Sequence, residues 1–260
     1  MGKINVKDSC ILSKCEEIGL DGKKWKQLEI AWDDESFEPG QFLMAAGKKM
    51  AVNWPKPFLL QEKTERGFHI LIQEENPCFD WDEGDPLTVW GICGKEIAEG
   101  VEKRDKTFAA VADPAGMLLL LPFLRRYGEM CTGIYIAGDR NKENEYKTWI
   151  SGALGKHLEE RCRCIENCET FGEAAKADYY VAALPLEKIG QLKKGLPQWM
   201  EEKLWIFTGV KVGCGIGACR GCYIHVEGEK HGIPVCQEGP FLPIGKIRYK
   251  QDQNFLMHFV

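Results

Sequence analysis

The most restrictive feature of the sequence is the segment from Val212 to Cys236, where four cysteines are interleaved with glycines. Four residues separate Cys214 from Cys219, two separate Cys219 from Cys222, and thirteen separate Cys222 from Cys236. The glycines in or beside this run are Gly213, Gly215, Gly217 and Gly221. Because glycine tolerates positive φ and weakens helices and strands, the segment predicts a loop that turns sharply between cysteines.

The cysteine spacing, C-x4-C-x2-C followed by a distant cysteine, predicts a site for one [2Fe–2S] cluster. Its ligands would be the thiolates of Cys214, Cys219, Cys222 and Cys236, which must converge from different directions. The cluster loop also contains Gly215 and Gly217, which let backbone N–H groups approach the sulfurs and tune the potential.

Other interpretations of this segment fit its spacing less well. Zinc usually takes paired C-x2-C knuckles or mixed Cys/His sets, and free buried thiols would need no such spacing. His225 and His231 could replace two thiolates, as in Rieske centres, but four cysteines already suffice. We therefore expect both histidines to lie at the surface.

The remaining cysteines show no comparable ligand spacing. Cys162, Cys164 and Cys168 form C-x-C-x3-C and raise the hypothesis of a second cluster, but no fourth cysteine is adjacent. We expect these three to be reduced thiols. The others are read as core or surface thiols: Cys10, Cys15, Cys78, Cys93 and Cys131.

Two further segments precede the cysteine-rich one. Residues 1–103 contain short alternating runs typical of strands in an antiparallel barrel or sandwich. Examples of these runs are Trp25 to Trp32, Gly67 to Gln73 and Pro86 to Gly91. Residues 104–210 instead alternate buried-looking strands with helical stretches, which predicts a parallel sheet. Residues 211–260 form the third, loop-dominated module, so the sequence predicts three domains.

Helices are predicted in the second segment from apolar spacing. The predicted ranges are Gly116 to Tyr127, Glu143 to Cys162, Phe171 to Lys176 and Gln191 to Glu202. The strands between them are Phe108 to Ala112, Gly133 to Gly138, Asp178 to Leu184 and Trp205 to Phe207.

Composition narrows the class of protein. The chain has 260 residues, of which 44% are hydrophobic and 28% charged, as in a globular protein with more than one domain. Its net charge of −5 offers no basic field for nucleic acid. The N-terminus shows no secretion signal, so a cytoplasmic location is expected. The longest apolar run, Met117 to Leu124, is too short for a membrane helix, and no membrane association is expected.

Three motifs carry a resemblance to a known family. They are EPGQFL (Glu38 to Leu43), KPF (Lys56 to Phe58) and CGIGACRGC with the later VCQEGPFL. On these, the chain resembles the iron–sulfur electron transfer subunit of class B dihydroorotate dehydrogenase, in the ferredoxin–NADP reductase superfamily. The resemblance implies a six-stranded antiparallel barrel that holds FAD, a parallel-sheet nucleotide-binding domain, and a C-terminal [2Fe–2S] loop module.

The sequence departs from that family at the flavin strand. The family has an Arg-Pro-x-Ser motif that grips the flavin diphosphate, whereas this chain has Lys56, Pro57, Phe58 and Leu59. These four residues are the candidate FAD contacts that the resemblance implies. Lysine lacks the bidentate fork of arginine, and leucine has no hydroxyl. FAD is therefore a possible cofactor with a degraded motif.

The departure is larger in the second domain. Where the family has a glycine-rich turn that receives the nucleotide, this chain has Asp113 and Pro114, which add a negative charge and remove an N–H donor. The family's Cys-Gly-x-Pro motif is replaced by residues 182–185, Ala-Ala-Leu-Pro. Binding of NAD(H) is therefore doubtful.

These observations lead to one functional hypothesis and two alternatives. The main hypothesis is an electron-transfer subunit that relays single electrons between flavin sites and pairs with a flavoprotein catalytic subunit in a hetero-oligomer. The first alternative is a complete FAD-containing, NAD(P)H-dependent reductase subunit. The second is a structural or redox-sensing subunit. No catalytic acid, base or nucleophile can be nominated, which fits a component that does not act on a substrate by itself.

Overall fold

The computed structural model describes residues 6–33, 36–48, 55–226, 228 and 230–247. Two compact units are present. Of the described residues, the first contains those within 6–96 and 208–240, and the second contains those within 97–207 and 241–247. Residues 248–260 of the predicted third domain lie outside the described residues. The division into three domains stays a prediction.

The first unit contains a closed six-stranded antiparallel barrel in the order β1-β2-β5-β4-β3-β6. Its strands are β1 (Lys7–Ile18), β2 (Lys24–Ala31), β3 (Phe42–Gly47), β4 (Lys56–Lys63), β5 (Gly67–Gln73) and β6 (Pro86–Cys93). Strand β1 closes the barrel because its first half pairs with β6 and its second half pairs with β2. A register shift between Ile11 and Ser13 lies at the start of the half that pairs with β2.

Alternation along the strands builds the barrel core. On β5, Phe68, Ile70 and Ile72 are fully buried and share one face, as a period of two requires. Leu28 and Ile30 on β2 join them in the same cluster. The apolar alternation that predicted the strands is therefore the same alternation that fills the barrel.

The second unit is built on a six-stranded sheet in the order β14-β11-β10-β7-β8-β9. Its strands are β7 (Phe108–Ala112), β8 (Cys131–Ala137), β9 (Cys162–Ile165), β10 (Tyr179–Ala183), β11 (Leu204–Phe207) and β14 (Phe241–Pro243). The first five are parallel to one another, and β14 pairs antiparallel with β11. A small hairpin of β12 (Tyr223–Ile224) and β13 (Ile233–Pro234) belongs to the first unit.

Helices connect the strands of the second unit. They are α1 (Gly116–Tyr127), α2 (Glu143–Leu154), α3 (Lys156–Glu159), α4 (Phe171–Ala174), α5 (Leu186–Gly195) and α6 (Gln198–Glu201), and α7 (Val235–Glu238) lies in the first unit. The apolar run Met117–Leu124 is buried in α1. Across the described ranges, no helix combines the length and apolarity needed to cross a bilayer.

The predicted fold class is confirmed: a closed antiparallel barrel accompanies a sheet with parallel strands. Two helix predictions were wrong in extent. The helix predicted from Glu143 to Cys162 ends at Leu154, because Gly155 takes φ 98°, and Cys162 belongs to strand β9. The helix predicted from Gln191 to Glu202 is two helices, α5 and α6, separated where Pro197 precedes α6.

Candidate metal centre

The β12–β13 hairpin brings the last two cysteines of the loop together. Tyr223 faces Pro234 in its register, so Cys222 precedes one strand while Val235 and Cys236 follow the other. The Val235 N–H donates to the Cys222 carbonyl at 3.1 Å. Two cysteines separated by thirteen residues therefore lie side by side.

The four thiols form two contacting pairs. Cys236 donates its backbone N–H to Cys222 Sγ, and Cys219 donates its backbone N–H to Cys214 Sγ. In the described part of the chain, no three His, Cys, Asp or Glu side chains are placed to share one metal ion. Two cysteines per iron is the ligand set of a [2Fe–2S] cluster, whereas a structural zinc ion takes four ligands at once.

Backbone N–H groups of the loop and of α7 point at the sulfurs. The bonds run from Gly217 N–H to Cys236 Sγ (3.1 Å), Cys219 N–H to Cys214 Sγ (3.4 Å), Gly221 N–H to Cys219 Sγ (3.4 Å) and Cys236 N–H to Cys222 Sγ (3.5 Å). Such donors stabilise the thiolate form, which is the form that ligates metal.

The electrostatics of the thiols follow from these bonds. The pKa of Cys222 falls to about 7, mainly because the Cys236 thiol donates to it, against the opposing effect of burial. The pKa of Cys236 rises because it holds that shared proton and is buried. Burial alone would raise the pKa of Cys214, but N–H donors from Cys219 and Ile216 outweigh it and lower that pKa.

The loop needs glycine at two of the predicted positions. Gly215 and Gly217 both take φ +74°, a region that L side chains rarely adopt. A Cβ on Gly217 would also lie 2.9 Å from Gln237 Oε1. Arg220 takes φ 58° without being glycine, so the loop holds one residue in a costly conformation.

Exposure differs between the two cysteine pairs. Cys222 and Cys236 are buried, whereas Cys219 is exposed and Cys214 is partly buried. His225 and His231 are both exposed, as expected for residues that do not replace a thiolate. A cluster on the four cysteines would thus be closest to solvent at Cys219.

The C-x-C-x3-C cysteines of the second unit do not gather into a site. Cys162, Cys164 and Cys168 are buried, and burial raises the pKa of each thiol, to about 12 for Cys162. None of them belongs to a group of three possible ligands in the described residues. They lie in the fold as neutral core thiols.

The flavin candidates lie on strand β4. Phe58 is fully buried in the barrel core and packs on Trp81 with ring centroids 5.3 Å apart. Pro57 and Leu59 are buried, and Lys56 is half-buried. Among these four side chains, Lys56 is the one cation that could contact the FAD diphosphate, and none has a hydroxyl group. The residues of this motif therefore do not fit the flavin contacts that the resemblance implies.

The carboxyl edge of the parallel sheet is where a doubly wound fold binds nucleotides. Here the Asp113 carboxylate accepts a hydrogen bond from the Gly116 N–H at 2.8 Å, at the start of α1. The Asp113 N–H donates to the Ala183 carbonyl at 3.3 Å. From α5, Lys188 Nζ donates to the Ala137 carbonyl at the end of β8. The chain's own carboxylate occupies the helix N-terminus, so these residues do not fit a dinucleotide phosphate.

One residue that lies beside the cysteine loop could not be recognised as its neighbour from the sequence. Cys93, at the end of β6, contacts Gly215 directly after the first cysteine of the loop. The two residues are far apart in the sequence and meet because the cysteine loop packs on the end of β6.

The cysteine-rich segment matches a known domain family. Residues 211–248 match the iron–sulfur cluster binding domain of dihydroorotate dehydrogenase B. The electron transfer subunit of dihydroorotate dehydrogenase B (NAD(+)) from Streptococcus thermophilus is 46% identical over 45 residues, which is 16% of this chain and 18% of that protein. The subunit of the same name from Bacillus mycoides is 38% identical over 53 residues, 19% of this chain and 20% of that protein. The matches thus span about a fifth of the relatives' length.

Solved structures resemble the chain over a much larger part. A structure of an NADH-dependent reduced ferredoxin–NADP oxidoreductase aligns with a TM-score of 0.66 at 16% identity, covering 96% of this chain and 92% of that one. Ferredoxin–NADP+ reductase from Plasmodium falciparum aligns at 0.56 and 10% identity, covering 77% and 95%. At these identities the likeness establishes the fold, which is that of ferredoxin–NADP reductases.

Proposed function

We propose that this chain is an electron-transfer subunit that carries one [2Fe–2S] cluster on Cys214, Cys219, Cys222 and Cys236. The observation that carries the proposal is the arrangement of these thiols in two pairs, each of which receives hydrogen bonds from backbone N–H groups. The family match of residues 211–248 supports the same assignment. A bound cluster supplies reversible one-electron chemistry.

The chain's own residues set the conditions for that chemistry. Burial of Cys222 and Cys236 keeps water from one side of the site, while the exposed Cys219 gives a redox partner an approach. The N–H donors stabilise negative charge on the sulfurs. No proton-transferring residue is required, since electron transfer depends on the placement of the cofactor.

In the proposed role, the chain relays electrons between flavin sites. It does not accept electrons directly from a pyridine nucleotide. The Asp113 carboxylate at the start of α1 opposes a bound phosphate. We therefore place the electron donor and acceptor outside the sheet of the second unit. The proposed acceptor is a flavoprotein catalytic subunit in a hetero-oligomer, as the relatives' name as an electron transfer subunit suggests.

The proposed location is the cytoplasm. Apart from the four proposed ligands, the other eight cysteines are free thiols, including buried ones such as Cys131 and Cys168. A reducing compartment preserves such thiols.

Anaerobic purification with iron analysis, absorbance and electron paramagnetic resonance tests the cluster. We expect about two irons per chain and, after one-electron reduction, a paramagnetic signal. Serine substitution of one cysteine from each pair, Cys219→Ser and Cys236→Ser, should remove iron and colour. Cys15→Ser, at an exposed thiol on β1, is the matched control and should keep both.

Three results would contradict the proposal. The first two are that wild-type protein, purified and reconstituted without oxygen, binds no iron or binds one zinc ion in place of two irons. Full iron content in both serine variants would show that other side chains ligate the metal.

A further inference from the structure

The barrel contacts the cysteine loop through two sulfur-containing side chains. A Cβ placed on Gly215 would lie 2.9 Å from Met44 Cγ and 3.1 Å from Cys93 Sγ. Gly215 is buried and follows Cys214 directly. The backbone next to the first proposed ligand therefore rests on Met44 of β3 and Cys93 of β6.

The chain just after Cys93 is fixed to the same module. Lys95 N–H donates to the Gly239 carbonyl at 2.7 Å, and Lys95 Nζ pairs with Glu238 at 2.9 Å. Gly94 packs so closely that a Cβ there would lie 2.6 Å from the Gly239 carbonyl. The Gln41 side chain, from the EPGQFL motif, donates to the Gly94 carbonyl at 3.1 Å. The position of Cys93 beside the loop is thus held by the two residues that follow it.

The Cys93 sulfur is not one of the paired thiols. Its thiol is directed at the Gly91 carbonyl, 3.8 Å away, which is a long and weak bond that leaves the S–H free to reorient. Burial, and then the charges of Cys214 and Cys222, raise the pKa of Cys93 to about 12, consistent with a neutral thiol. A neutral, polarisable dipole therefore lies next to the proposed cluster.

We propose that Cys93 is a positioning residue that does not ligate iron but sets the reduction potential of the cluster through its neutral thiol against Gly215. The inference rests on the proposed function, because it requires a cluster on the paired cysteines. Reduction adds one negative charge to the cluster. A polar S–H or O–H dipole nearby stabilises that charge, and an apolar group does not.

Two substitutions of similar size separate this role from packing. Cys93→Ser replaces the thiol with a stronger dipole, and Cys93→Val replaces it with an apolar group. The potential of each purified variant is measured by redox titration followed by electron paramagnetic resonance. We expect both to keep about two irons and the potential to rise in the order Val, Cys, Ser. The serine and valine variants should differ by about tenfold in the one-electron equilibrium constant, which is about 59 mV.

The same two substitutions at the exposed Cys15 of β1 are the controls and should leave the potential unchanged. Equal potentials in both Cys93 variants and the wild type would overturn the inference, even if their melting temperatures differ. Loss of iron from both variants would also overturn it, because Cys93 would then be a ligand. Wild-type protein that binds no cluster would contradict the proposed function itself, so the two failures are distinguishable.

Discussion

Asp113 and Gly116 form a closed cap at the carboxyl end of β7: the carboxylate accepts the glycine N–H at 2.8 Å. In a doubly wound fold, this helix start is the position that receives a ligand phosphate. The chain fills that position with its own negative charge. The first N–H of this helix is therefore satisfied within the chain.

The cap predicts that pyridine nucleotides do not bind. Calorimetric titration with NADH or NADPH should show no saturable binding, and anaerobic NADH should not bleach the protein. Asp113→Ala should lower the free energy of unfolding by about 1 kcal/mol, as loss of a capping side chain does. Asp105→Ala, at an exposed loop aspartate, is the control and should change little. Saturable nucleotide binding by the wild type would contradict the prediction, because the ligand would then displace the Asp113 carboxylate from the Gly116 N–H.

Two helical glycines should respond oppositely to alanine. A Cβ on Gly116 would lie 2.0 Å from the Ala183 carbonyl, so Gly116→Ala should cost about 1–3 kcal/mol or more through overpacking. Gly152, exposed on α2, has nothing within 4 Å, so Gly152→Ala should stabilise by about 0.5–1 kcal/mol. Urea denaturation of the two variants measures both effects. A Gly116→Ala protein as stable as the wild type would mean that α1 does not approach β10 this closely.

Glu29 should make the barrel sensitive to acid. Its carboxylate is buried on β2, and burial alone would raise its pKa, but hydrogen bonds from Thr64, Arg66 and Ser13 together lower it. A lowered folded-state pKa stabilises the protein above the unfolded-state pKa, about 4.3, and this contribution disappears as the pH falls through the folded value. Glu29→Gln should therefore cost about 1–3 kcal/mol at pH 7 and progressively less below about pH 4.

Urea denaturation at several pH values measures that difference. Glu17→Gln, at an exposed glutamate of β1, provides the control and should show a small, nearly constant effect. If the loss of unfolding free energy in Glu29→Gln instead grows as the pH falls, the Glu29 carboxylate does not stabilise the fold.

Local patterns in the sequence predicted those features that depend on neighbouring residues. Helix α1 has the predicted bounds because a continuous apolar run fills it. Strand β9 was missed because four residues, Cys162–Ile165, follow charged residues with helical spacing, and only pairing with β8 makes them a strand. Features such as β9, which depend on pairing between strands distant in the sequence, could not be predicted from local patterns.

The candidate site shows the same limit. The spacing of Cys214, Cys219 and Cys222 is local and could be read directly from the sequence. Pairing of Cys222 with Cys236 depends on the register of the β12–β13 hairpin, and the contact of Cys93 with Gly215 depends on how the cysteine loop packs on β6. Neither has a signature in sequence spacing, because each depends on contacts between residues that are distant in the sequence.

The pairing of β11 with β14 fixes the positions of both ends of the cysteine-rich segment. Phe207 ends β11 and lies opposite Phe241, the first residue of β14. Facing residues of antiparallel strands are only about 5 Å apart, a gap that a two-residue turn can bridge. The whole iron-binding segment, 208–240, therefore leaves and returns at one point of the sheet. Replacing this segment with a short turn would therefore leave the ladder hydrogen bonds between β11 and β14 in place.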